Sequence, residues 1–222
     1  MAFSEHHFLT ADGLSLYYRS YGSGEDVMVC LPGLTRNCKD FHEIATHLSS
    51  RYRVLCLDMR GRGQSDWDPN WRNYHPATYI NDTWSLVDHL DISNYTILGT
   101  SLGGLMAMIM ASQQAERVRA VILNDVGPEA DPAGYVRILA SFDEQFEVKE
   151  WPDAILHCKR SYQSALPDMP DEFWQSYAHK NYREEKDGRP VLESDPNIGE
   201  AIRKGDLSRI AGIQVDPWET FA

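Results

Sequence analysis

An α/β fold on a mostly parallel, doubly wound sheet is predicted by three features of this sequence. Short continuous apolar runs at residues 27–31, 52–57, 95–98 and 118–124 read as buried parallel strands. Stretches with helical spacing at 40–48, 76–90 and 102–115 separate them, as crossover helices do. After Gly127-Pro128 this alternation stops, and residues 129–210 read as several helices rich in Trp, Tyr, Asp and Pro.

The elements follow in order. Residues 6–9 and 14–21 alternate around a turn at Ala11-Asp12-Gly13, which predicts an antiparallel hairpin at the N-terminus. Three strand–helix units and a fourth strand come next, with a Gly-rich turn and an aromatic loop between the second strand and its helix. The helical region lacks a Gly/Ser linker on either side, so it reads as an insertion on one face of the sheet. The division is therefore a core at 1–128, a helical insertion at 129–210, and the start of a return to the core at 211–222. Pro217 after Asp216 is a helix-start signal, so the chain stops as an element begins.

Composition excludes several functions. The chain has 222 residues, 42% of them apolar, enough for a core without covalent staples. It carries 21 Lys and Arg against 33 Asp and Glu, a net charge of −12, which argues against tracking nucleic-acid phosphates. The longest apolar window, residues 97–111, is too short for a membrane span and holds three glycines. No basic, apolar leader opens the chain. The four cysteines have neither disulfide-framework nor CxxC spacing, so reduced thiols and a cytoplasmic location are expected. No metal and no organic cofactor is implied, because neither ligand spacing nor a dinucleotide fingerprint occurs.

The decisive motif is Gly99-Thr100-Ser101-Leu102-Gly103, a G-x-S-x-G between an apolar strand and a helical pattern. In that context the serine sits on a tight strand-to-helix turn with its Oγ exposed, and the next amide helps form an oxyanion hole. A phosphate-cradling helix N-terminus is the competing reading; the segment lacks a P-loop Lys and G-x-G-x-x-G spacing.

With this motif the sequence resembles the α/β-hydrolase family, in its cap-bearing, serine-nucleophile branch of esterases, enol-lactonases and carbon–carbon bond hydrolases. Three further stretches agree: Leu31-Pro32-Gly33-Leu34 after the first buried strand, Asp58-Met59-Arg60-Gly61-Arg62-Gly63-Gln64-Ser65-Asp66 after the second, and Leu123-Asn124-Asp125-Val126-Gly127-Pro128 before the insertion. The resemblance implies Ser101 as nucleophile and the amides of Leu34 and Leu102 as oxyanion donors, and makes the insertion a cap. It disfavours the dehalogenase and epoxide hydrolase branches, which use aspartate at the elbow. Gly33 and Arg36 become candidates for substrate contact. Asp125 is a candidate triad acid, with a buttressing role preferred. The 58–66 turn reads as structural.

The cap aromatics Tyr135, Phe142, Phe146, Trp151, Tyr162, Phe173, Trp174 and Tyr177 suggest a small, largely apolar ester, lactone or C–C substrate, although ordinary cap core accounts for most of them. In this family the acid and then the histidine follow the serine along the chain. The resemblance therefore expects two more strands and both residues beyond Ala222, and the chain reads as truncated. Residues 118–124 would then be an apolar sheet edge, to be covered by a missing C-terminal segment or by self-association. None of the eight histidines substitutes well; His157 and His179, in the cap, come nearest. The alternative is a non-catalytic ligand-binding module or an inactive fragment.

Overall fold

In the computed structural model, which describes residues 3–129 and 146–204, six strands form one sheet in the order β1-β2-β4-β3-β5-β6. Strands β1 (Ser4–Leu9) and β2 (Ser15–Tyr21) make the expected antiparallel hairpin. β2 joins the sheet antiparallel to β4 (Tyr52–Leu57), while β3 (Asp26–Leu31), β4, β5 (Tyr95–Thr100) and β6 (Val118–Asn124) run parallel. Among the described residues β6 pairs with β5 alone, and Ile122 on it is 45% exposed.

The winding follows from strand composition. Val29, Leu31, Leu55, Leu57 and Ile97 point to one face, where α2 (Pro76–His89) and α3 (Leu102–Gln113) cover them with Ile80, Leu86, Val87, Met106 and Met110. Met28, Cys30, Val54 and Cys56, the alternate positions, point to the other face. There the 3₁₀ turn Cys38–Phe41 and α1 (His42–Leu48) supply Phe41 and Ala45. Both faces are apolar because both are covered, so these strands read as continuous runs. All four cysteines are buried and free. No helix of the described residues is long and apolar enough to cross a membrane.

The chain leaves β3 for β4 on one side and returns to β5 on the other. The carboxyl ends of β3 and β5 therefore flank a topological switch point, where open α/β sheets place their sites. Leu31 pairs with Gly99 there, which brings the loop 32–36 beside the turn at Ser101.

Residues 146–204, the described part of the expected cap, are less purely helical than expected. Helices α4 (Trp151–Tyr162) and α5 (Asp171–Asn181) pack around Trp174, Ala154, Cys158 and Ala178. A two-stranded antiparallel hairpin follows, β7 (Tyr182–Glu184) and β8 (Pro190–Leu192), before α6 (Asn197–Lys204). Three-residue strands are too short to show a period, which is why the pattern missed them. Tyr135, Phe142 and residues 211–222 lie outside the described residues.

Candidate active site

Ser101 occupies the corner between β5 and α3, with φ 51° and ψ −115°. A side chain at positive φ is held there against about 1–3 kcal/mol of strain. The surroundings impose it. The Ser101 N–H donates to the Asn124 carbonyl at 3.0 Å, and the Ser101 carbonyl accepts from the amides of Gly104 and Leu105 at 2.9 and 3.1 Å. One end of the residue is thus tied to β6 and the other starts the helix.

The flanking glycines allow the sharp corner. A Cβ on Gly99 would stand 2.6 Å from the Gly104 Cα, and one on Gly103 2.9 Å from the Leu31 Cβ. A Cβ on Gly104 would fall closer than 3.0 Å to the Val126 side chain. Strand and helix approach too closely for any side chain between them, so the serine is the residue left protruding. It also stands at the positive end of α3, where negative charge is favoured.

The loop after β3 completes the geometry. A Cβ on Gly33 would lie 3.8 Å from the Ser101 Cβ and 3.9 Å from the Thr100 carbonyl oxygen, so this backbone runs directly alongside the serine. The Gly33 carbonyl accepts from the Arg36 N–H at 3.1 Å. In a trans peptide the Leu34 N–H then points the opposite way, out of that turn. Among the described residues the amides of Leu34 and Leu102 donate to no backbone acceptor.

Residues 26–185 match the family described as alpha/beta hydrolase fold. The chain belongs to the alpha/beta hydrolase family. It is 31% identical over 197 residues to a 3-hydroxybutyrate-oligomer hydrolase of Cupriavidus necator, covering 88% of this chain and 67% of that protein. It is 28% identical over 155 residues to bifunctional epoxide hydrolase 2 of Sus scrofa, covering 67% of this chain and 28% of that protein. Among solved structures, an alpha/beta hydrolase from Novosphingobium aromaticivorans superposes with a TM-score of 0.89 at 35% identity, covering 99% of this chain and 77% of the other.

In this alpha/beta hydrolase Arg36 lies beneath the cap. Its guanidinium donates to both carboxylate oxygens of Asp40 and to the Asn181 side-chain oxygen on α5, and stacks 4.1 Å from the Tyr177 ring. Burial opposes its charge, but Asp40 more than offsets this and raises the pKa. With those partners the guanidinium is engaged by protein groups, and its visible role is to latch cap to core. Asn37 caps the 3₁₀ turn through Lys39 N–H and also donates to the Lys180 carbonyl at 2.8 Å.

Asp125 sits at φ 56° just past β6, exposed. Among the described residues its carboxylate makes no hydrogen bond or ion pair. Tyr162, Phe173, Trp174 and Tyr177 stack on one another, as cap core. The cap histidines are engaged within the cap: His157 Nδ1 lies 2.6 Å from the Tyr182 hydroxyl, and His179 stacks 3.9 Å from Trp151. Among the described residues no histidine hydrogen-bonds to Ser101.

The 58–66 turn is held by a network of buried polar groups. Asp58, fully buried, accepts the amides of Cys38 at 2.7 Å and Gln64 at 2.9 Å. Burial raises its pKa despite those bonds. Arg60 binds Asp82 through two bonds of 2.7 and 2.6 Å and also holds Asp12 and Asp68, tying the N-terminal hairpin, the 66–70 loop and α2 together. Sequence reasoning gave these arginines no individual role; their signal was two arginines inside a turn of an otherwise acidic chain.

Proposed function

We propose that this chain is a serine hydrolase that opens ester-type bonds of small, largely apolar substrates through Ser101. The single observation that carries this reading is Ser101 held at φ 51° on a corner where Gly99 and Gly103, two positions to either side, have no room for a Cβ. In the mechanism, Ser101 Oγ attacks the substrate carbonyl carbon. The carbonyl oxygen becomes an oxyanion between the Leu34 and Leu102 amides. The Oγ proton passes to a base, and the leaving group takes a proton as the acyl-serine forms. Water then releases the acid. By family order that base is a histidine C-terminal to the cap. Asp125 is the candidate acid on the described part of the chain.

Among ester, lactone and C–C bonds, esters are the first class to test, because the Cupriavidus relative is named for hydrolysis of 3-hydroxybutyrate oligomers. The experiment is fluorophosphonate labelling with peptide mapping, together with turnover of p-nitrophenyl butyrate and 3-hydroxybutyrate oligomers. Labelling at Ser101, and loss of labelling and turnover in Ser101→Ala, is the expected result. Turnover retained by Ser101→Ala sinks the reading.

A binding module is the second reading, favoured by the lack of a described histidine on Ser101. It expects no labelling of the wild type but saturable binding of apolar esters.

A further inference from the structure

Two arms of one buried guanidinium close on a single carbonyl of the loop beside Ser101. Arg62 is 0% exposed. Its Nε and Nη2 both donate to the Leu34 carbonyl, at 2.8 and 2.6 Å. Its Nη1 donates to the Arg60 carbonyl at 2.7 Å and to the Tyr79 hydroxyl at 3.0 Å. The rings of Tyr79 and Tyr74 lie 4.7 and 5.7 Å from the guanidinium carbon.

The contrast with Arg60 is informative. Two residues earlier in the same turn, Arg60 meets three aspartates. Among the described residues Arg62 meets no carboxylate at ion-pair distance, only neutral acceptors and ring faces. Burying a cation without a counter-ion is strongly unfavourable. If filling space were all that mattered, an apolar side chain among Tyr74, Tyr79 and Leu34 would serve better. What the guanidinium adds is a rigid, two-pronged grip on one oxygen.

That grip completes the control of Leu34. The peptide before Leu34 is oriented by the bond from Arg36 N–H to the Gly33 carbonyl, and the peptide after it by Arg62. With both planes held, the direction of the Leu34 N–H is fixed. The turn carrying Arg62 is itself anchored to the cap: Gly63 N–H donates to the Glu193 carbonyl, and Asp195 N–H to the Gly61 carbonyl, both at 2.8 Å.

We propose that Arg62 is a positioning residue of the oxyanion hole, holding the Leu34 amide on the oxygen that becomes negative during attack by Ser101. This rests on the reading of Ser101 as nucleophile. The test compares the full chain with Arg62→Gln, Arg62→Lys and Ser101→Ala on an aryl butyrate and on its thionoester, in which sulfur replaces the carbonyl oxygen. Sulfur is the weaker hydrogen-bond acceptor, so the oxygen-to-sulfur rate ratio reports the oxyanion contacts.

For both Arg62 variants we expect kcat on the oxygen ester to fall about 10–100-fold with KM little changed, and the ratio to fall with it. A purely structural role would lower both substrates alike. Lys keeps the charge but not the fork, so a ratio restored by Arg62→Lys would overturn the proposal. So would an unchanged ratio in folded Arg62→Gln. If both variants fail to fold, Tyr79→Phe loosens the guanidinium without touching the loop; it should lower the ratio two- to threefold, and an unchanged ratio there overturns the proposal. A wild type carrying the segment that supplies the histidine, which neither hydrolyses esters nor labels, removes the reading of Ser101, and the clamp with it. Active wild type, inactive Ser101→Ala and an insensitive ratio remove the clamp alone.

Discussion

The Leu31 carbonyl oxygen fills the space that a side chain on Gly103 would need: a Cβ there would fall closer than 3.0 Å to it. The obstacle is backbone at the end of β3, so no rotamer relieves it. Gly103→Ala is expected to cost about 3 kcal/mol and to abolish labelling of Ser101. Urea denaturation and fluorophosphonate labelling read the two effects. Wild-type labelling in the variant would mean that α3 slides without disturbing the corner.

Ser101 itself holds strain that a glycine would release. Ser101→Gly is expected to raise stability by about 1 kcal/mol while eliminating labelling, a trade of stability against function. Gly recovers the positive φ but adds freedom to the unfolded chain, which limits the gain. A thermal midpoint at or below that of the wild type would argue against a strained corner.

The latch between core and cap should respond asymmetrically. Asp40→Ala leaves the Arg36 charge buried with only Asn181 and the Tyr177 ring face as partners, and should cost about 3 kcal/mol. Arg36→Met removes the cation as well and should cost less, because Tyr177 then packs on an apolar stem. A double-mutant cycle measures the coupling. Equal costs for the two single changes would show that the pairing matters less than the volume.

Asp58 supplies a pH signature. Its pKa is raised by burial from an ordinary 3.8, so the folded chain holds that proton more tightly than the unfolded one. The resulting stabilisation is complete below the unfolded value and is lost as pH rises through the folded one. Asp58→Asn also removes an acceptor from the amides of Cys38 and Gln64, a loss of about 1–3 kcal/mol at any pH. The penalty of Asp58→Asn should therefore be larger at pH 4 than at pH 7. Denaturant titrations at both values check it, and a penalty growing with pH would contradict it.

How much of this was legible from residues alone depends on period and on crowding. The strands at 27–31 and 52–57 were visible because burial on both faces leaves unbroken apolar runs; 118–124 was visible by its Ala120–Leu123 apolar run, although Ile122 on it is exposed. The elbow was visible because three contacts too close for a Cβ force three glycines around one serine. The hairpin Tyr182–Leu192 was not, since its strands are three residues long and its turn borrows Gly188 at φ 83°. Nor were the separate tasks of Arg60 and Arg62. Which carboxylate or carbonyl an arginine meets is decided by segments such as Asp82 and Leu34, more than twenty positions away.

The burial of every native sulfhydryl has a practical side. Cys38 and Cys56 are pushed well above the ordinary thiol range by burial, and Cys158 to about 11, so these groups resist alkylation in the folded state. A single cysteine placed at Leu156, 43% exposed on α4, would therefore take a maleimide fluorophore alone. This region can carry an optical reporter with no background substitution to engineer first.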